Sequence, residues 1–179
     1  MGILQRIILF RKVFLMETII RKAKSSDIPH LVELLRELFA IEVDFEFNAV
    51  YQEKGLSMMM SSPGNRCVIV AEVNQKVVGM CTGQLVVSTA KGGFSGLIED
   101  MMIGPVHRKK GLGRRLLEAV EKWCYGSGAS RIQLLADKNN TKALAFYEKC
   151  NWQKTQLICL RKGCDRSSVG DDPVRGFRV

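Results

Sequence analysis

Val106-His107-Arg108-Lys109-Lys110-Gly111-Leu112-Gly113-Arg114-Arg115-Leu116-Leu117 sets two glycines, one residue apart, among five cations where an apolar strand pattern gives way to an amphipathic helix. Glycine lets backbone N–H groups approach a ligand closely, and the first turn of a helix leaves its N–H donors without intrahelical partners. The positive end of the helix dipole adds to the charges of Arg108, Lys109, Lys110 and Arg114. The stretch therefore reads as an anion cradle, and a pyrophosphate is its natural occupant. It is neither a dinucleotide fingerprint nor a P-loop, because a third glycine and a Lys-Ser/Thr pair are both missing.

The pattern Arg108-x-x-Gly111-x-Gly113 resembles the acetyl-CoA-binding motif [RQ]-x-x-G-x-[GA] of the GCN5-related N-acetyltransferases (GNAT family). A second stretch, Asn139-Asn140-Thr141-Lys142-Ala143-Leu144-Ala145-Phe146-Tyr147-Glu148-Lys149-Cys150-Asn151-Trp152, resembles the same family's signature N-x-x-A-x-x-F-Y-x-K-x-G-F. Asn140, Ala143, Phe146, Tyr147 and Lys149 match. Asn151 replaces the usual Gly and is the next best residue for a left-handed helix C-cap, while Trp152 replaces the usual Phe. Together the two motifs imply a single α/β domain with a mixed, largely antiparallel sheet flanked by helices.

Periodicity along the chain agrees. Thr18 to Lys22 alternates as a strand, and Ser25-Ser26-Asp27 supplies cap residues before helical spacing from Ile28 to Leu38. A second helix is expected over Tyr51 to Met60. Cys67 to Val73 and Lys76 to Val86 read as strands of a hairpin around Asn74-Gln75. A strand over Gly96 to Ile103, a helix over Lys109 to Gly126, a buried strand over Arg131 to Ala136, a helix from Asn140 to Cys150 and a last strand over Lys154 to Arg161 complete the reading.

With 179 residues, 46% hydrophobic and 25% charged, the chain suits one core. Residues 1–15 form an extension, 16–162 the acetyltransferase-like domain, and 163–179 a tail of loop composition. The extension mixes apolar residues with cations and is too short and charged to span a bilayer. It reads as an early translation start, an added helix or a weak membrane-surface anchor, so no stable membrane insertion is expected. The formal charge of +9 would suit nucleic acid, an acidic membrane or a polyanionic cofactor. No run interleaves aromatics with cations, so a nucleic-acid partner is not expected. Six cysteines without a C-x-x-C pair, and only two histidines, read as buried reduced thiols in a cytoplasmic protein rather than a metal site.

The resemblance implies that acetyl-CoA is the cosubstrate, that no metal is needed, and that the strand ending in Met101, Met102 and Ile103 offers backbone groups to it. Arg108, Lys109, Lys110, Gly111, Leu112, Gly113, Arg114, Asn140 and Tyr147 would line its site, and Tyr147 would serve as general acid to the departing thiolate. Glu99 is the candidate base. In Gly96-Leu97-Ile98-Glu99-Asp100-Met101-Met102-Ile103 two carboxylates interrupt an apolar strand, and neighbouring strand residues point to opposite faces. The Glu-Asp pair resembles that of diamine and glucosamine-phosphate acetyltransferases. A strand-edge salt bridge to a nearby Lys or Arg is the alternative. Glu42, Asp44 and Phe45, in an acidic and aromatic stretch after the first helix, are with Asp100 the candidates for binding a cationic amine. The expected activity is direct acetyl transfer to a primary amine of a small cationic molecule or peptide. A non-catalytic acyl-CoA sensor and a basic nucleic-acid-binding protein are the rival classes. The resemblance also admits a homodimer.

Overall fold

The computed structural model describes residues 17–42 and 44–162. The expectations for residues 1–15 and for the tail 163–179, Cys164 included, lie outside these.

Five strands, β1 (Thr18–Lys22), β2 (Arg66–Val73), β3 (Lys76–Ser88), β4 (Gly93–Ile103) and β5 (Ala129–Leu134), form one sheet in sequence order. The first three pairings are antiparallel and β4–β5 is parallel. Four helices flank it: α1 (Ile28–Phe39), α2 (Ala49–Met60), α3 (Leu112–Gly126) and α4 (Thr141–Lys149). This is the mixed, mostly antiparallel α/β domain expected.

The period-2 geometry of β2 explains why nearly all of it is buried. Cys67, Ile69, Ala71 and Val73 join a core with Leu112, Leu116, Leu117, Val120 and Cys124 of α3. Val68 and Val70 join a second core on the other face, with Leu31, Val32, Leu34 and Leu35 of α1 and Leu56 of α2. Asn74 and Gln75 both have positive φ, 49° and 63°, the backbone that a two-residue hairpin matching strand twist requires. Asp27 and Glu72 both bind the Arg21 guanidinium, which joins β1 and β2 to the start of α1.

Three expectations are corrected. The helix after the glycine turn begins at Leu112 rather than Lys109, because Lys109 (φ 59°) and Gly111 (φ 79°) are left-handed. The strand expected to be buried over Arg131 to Ala136 runs from Ala129 to Leu134 and is only half covered, with Leu135 65% exposed. Nothing pairs with its outer edge among the described residues, so one side of it faces solvent. The reason is the third correction: Lys154 to Arg161 is not a strand, despite its apolar run Leu157 to Leu160. Cysteine burial holds only in part, since Cys67, Cys81 and Cys124 are buried while Cys150 is half-buried and Cys159 exposed.

Candidate active site

The site forms where β4 parts from β5. Pairing between them ends at Ile98–Leu134, so β4 from Glu99 to Ile103 has no neighbour on that side among the described residues. A strand with unpaired backbone groups invites another extended chain to hydrogen-bond along it. A pantetheine arm, which carries amide groups, is such a chain.

On its other side β4 is irregular. The register with β3 passes from Met101–Cys81 to Ile98–Gly83, so Glu99 and Asp100 together face the single residue Thr82. This is a β-bulge, a device that re-aims side chains at a strand. The Thr82 hydroxyl, 1% exposed, accepts from the Asp100 backbone N–H at 3.0 Å and donates to Asp100 Oδ2 at 3.3 Å. The two carboxylates then have unlike surroundings. Glu99 is exposed and accepts from Gln84 Nε2 at 3.0 Å. Asp100 is largely covered; burial first, and the neighbouring charges of Glu99 and Glu42, push its carboxyl up from the ordinary 3.8 to about 6.

At the end of β4 a 3₁₀ turn over Pro105–His107 leads into the glycine turn. Gly111 is the N-cap of α3 in a left-handed conformation that a side chain would strain, and a Cβ there would meet open space. Arg115 N donates to Gly111 O at 3.2 Å, so the first-turn donors at residues 112–114 precede the helical ladder. No acidic residue stands in that turn. Donors, dipole and the exposed Lys109 and Lys110 all favour an anion, so the turn fits a pyrophosphate.

Gly113 serves a different purpose. A Cβ there would come within 3.3 Å of Met101 Cε and 3.5 Å of the Phe146 ring, so its smallness lets α3 lie close to β4 and α4. Arg108 also acts within the protein: its Nε donates to the Ile103 carbonyl at 2.8 Å and Nη2 approaches Met102 Sδ at 3.6 Å. It ties the glycine turn to the end of β4. Arg114 pairs with Glu118 at 3.2 Å on the exposed face of α3.

Helix α4 closes the site from the β5 side. Asn140 is its N-cap, accepting from Ala143 N at 3.1 Å, and Asn151 at φ 65° is the left-handed residue that ends it. Between these caps the Tyr147 hydroxyl reaches Met101 Sδ at 3.8 Å. Its ring meets Phe146 edge-on at 5.3 Å and lies 6.1 Å from Trp152, whose Nε1 donates to Glu121 at 2.8 Å. Burial, followed by the nearby Cys81 and Glu42, raises the phenol well above its usual value, so it keeps its proton.

The loop between α1 and α2 supplies the acidic side. Glu42 is half-buried, and burial, then Asp137 and Asp44, raise its carboxyl. Its charge is felt at both Asp100 and Tyr147. Asp44 and Phe45 do not join this group; both contact Arg161 at the far end of the chain. The structure thus brings Tyr147 onto Met101 and sets Asp100 and the exposed Glu99 at the bulge of the same strand, while Glu42 bears on them through its charge. Sequence reasoning missed Thr82 and Arg161. Thr82 is a lone hydroxyl in an apolar strand, a weak signal that becomes specific only once β3 and β4 are in register.

Comparison with known proteins follows the same geometry. Residues 28–152 match the model of the acetyltransferase (GNAT) family. The chain is 25% identical over 138 residues to the uncharacterized N-acetyltransferase YhfO of Bacillus subtilis, covering 75% of this chain and 89% of that protein. Among solved structures, glucosamine-6-phosphate N-acetyltransferase from Arabidopsis thaliana superposes with a TM-score of 0.67 at 22% identity, over 82% of this chain and 98% of the other. The aminoglycoside N-acetyltransferase AAC(6')-Iy, solved with CoA, gives 0.71 at 15% identity, over 83% and 97%. At these identities the two structures share the fold. No group of three or more potential metal ligands is found among the described residues, and none of their helices is long and apolar enough to cross a membrane.

Proposed function

Because this chain belongs to the GNAT acetyltransferase family, we propose that it transfers the acetyl group of acetyl-CoA directly to a primary amine of a small cationic molecule or peptide. The observation that carries this is the Tyr147 hydroxyl on Met101 Sδ at the free end of β4. It sets a proton-bearing group of α4 beside a stretch of strand whose backbone is open to a thioester arm.

Acetyl-CoA supplies an activated acyl group. The first-turn N–H groups of residues 112–114, with Lys109 and Lys110, hold its pyrophosphate, while the unpaired backbone of Met101, Met102 and Ile103 aligns its arm. Arg108 and Asn140 act from behind, fixing the end of β4 and the start of α4 through the bonds already described. Tyr147, held in its protonated form by burial, donates to the leaving sulfur.

On the acceptor side, Asp100 and Glu42 are two carboxylates raised by burial and by neighbouring acids. Such carboxylates regain stability when a cation arrives beside them. An ammonium or a polyamine does this; a neutral amine tail does not. Glu99, exposed at the bulge, takes the amine proton directly or through solvent. A second reading assigns that proton to Asp100, favoured by its carboxyl at about 6, close to working pH.

Amine selectivity tests the acceptor class. A diamine and a monoamine ending in a hydroxyl at the same position should differ by about tenfold or more in kcat/KM, in favour of the diamine. Equal values would remove the cationic acceptor from the proposal.

A further inference from the structure

We propose that Arg161 is a positioning residue for the acceptor end of the site, holding in place the α1–α2 loop that carries Glu42. The inference rests on the reading of that loop as the acceptor side. Arg161 lies far along the chain, after α4, in the segment that does not form the expected last strand. Its Nη1 and Nη2 donate to the Asp44 carbonyl at 2.9 and 3.0 Å. Its guanidinium also lies over the Phe45 ring, 5.2 Å from the centroid, and 4.0 Å from Asp44 Oδ1.

The loop needs such a tie. Its near end is fixed to α1 by Ile41 N and Glu42 N, which donate to the Leu38 carbonyl at 2.9 and 3.2 Å. Phe45 stacks on Phe39 at 5.6 Å, and Arg36 lies over Phe47 at 4.4 Å. Asn48 begins α2 by capping Val50 and Tyr51. The stretch around Asp44 gains its long-range hydrogen bonds from Arg161. A planar fork giving two N–H groups to one carbonyl, with its face on an aromatic ring, fixes direction as well as distance.

The segment carrying Arg161 is itself held by this contact more than by burial. Leu157, Ile158 and Leu160 are 84%, 80% and 86% exposed. Arg161 and the loop therefore order one another. Two residues before Asp44, Glu42 is the loop's charge toward the site. Loss of the tie frees the loop that carries Glu42, so that the amine must order it when it binds.

The test compares wild type, R161K and R161A in two measurements. In hydrogen exchange without any ligand, the amides of residues 41–47 should exchange roughly tenfold faster in R161A, while those of β2 and β3 stay protected. In steady-state transfer to the best amine, KM for the amine should rise roughly five- to tenfold in R161A, with KM for acetyl-CoA unchanged. R161K, which keeps the charge but lacks the fork, should fall between. Unchanged exchange in the loop overturns the proposal, and so does faster exchange with an unchanged amine KM, which would make Arg161 purely structural. A wild-type protein that acetylates no amine overturns the underlying acceptor reading. The exchange measurement, which needs no amine, separates that failure from a failure of the tie. Arg161 is exposed, so R161A keeps the fold, and equal protection in β2 and β3 verifies this.

Discussion

Replacing Asp100 with Asn removes a charge but keeps an oxygen to accept from Thr82, so it isolates the cost of a covered carboxylate. Burial, then Glu99 and Glu42, raise this carboxyl from 3.8 to about 6. The folded protein therefore holds the proton more tightly than the unfolded chain does. Below pH 3.8 the carboxyl is protonated in both states and the cost is absent. Between 3.8 and 6 folding requires proton uptake, so stability falls as pH rises. Above 6 the full penalty stands. At 1.36 kcal/mol for each tenfold change in proton affinity it amounts to about 3 kcal/mol as an upper bound. Solvent screening at the site brings the figure nearer half of that. Urea unfolding of wild type and D100N at pH 4, 5, 6, 7 and 8 reads the difference, in which the other titrating groups largely cancel. The variant should gain on wild type by about 1–2.5 kcal/mol between pH 4 and pH 7, then hold nearly constant. A gap independent of pH would refute the reasoning, because the penalty would then not be one of ionisation. A stable D100N that binds the amine poorly would show that the strain is retained for function.

Other outcomes follow from the same geometry. Tyr147→Phe should lower kcat by about 10- to 100-fold with KM for acetyl-CoA nearly unchanged, since only the donated proton is lost; equal kcat would remove Tyr147 from the acid role. Glu99→Gln should flatten the acidic limb of the kcat/KM profile; if that limb survives and D100N abolishes it, the base is Asp100. Gly113→Asp should raise KM for acetyl-CoA by about tenfold or more, because it crowds Met101 and Phe146 and sets an anion beside the pyrophosphate site. Wild-type KM for a cationic amine should fall as pH rises from 5 towards 7, as Asp100 and Glu42 ionise, and a flat profile would dissociate both from amine binding.

The features legible in the sequence are those set by a few adjacent residues. Gly111, Asn151 and Asn74 take positive φ, which residue type announces directly, whereas Gln75 and Lys109 take it without such a signal. The caps at Asn140 and Asn151 bounded α4 to within a residue. What escaped depends on partners distant in the chain. The bulge at Glu99 and Asp100 exists only in register with Thr82, and the tie from Arg161 to Asp44 crosses most of the domain. The apolar run within Lys154 to Arg161 signals a strand, but a strand also needs a neighbour, and none pairs with it among the described residues. Gly113 and Arg108 were legible as motif positions, whereas their contacts with Met101, Phe146 and Ile103 were not.

Acetyl transfer itself is best tested by following CoA release from acetyl-CoA with diamines, polyamines, aminoglycosides, amino sugars, amino acids and short peptides, each product verified by mass. A no-acceptor control removes the background of protein thiols. Release that depends on a cationic amine, with one acetyl group found on that amine per CoA freed, is the result predicted. Tight acetyl-CoA binding with no amine-dependent release across the panel would contradict it, and would make the protein an acyl-CoA sensor.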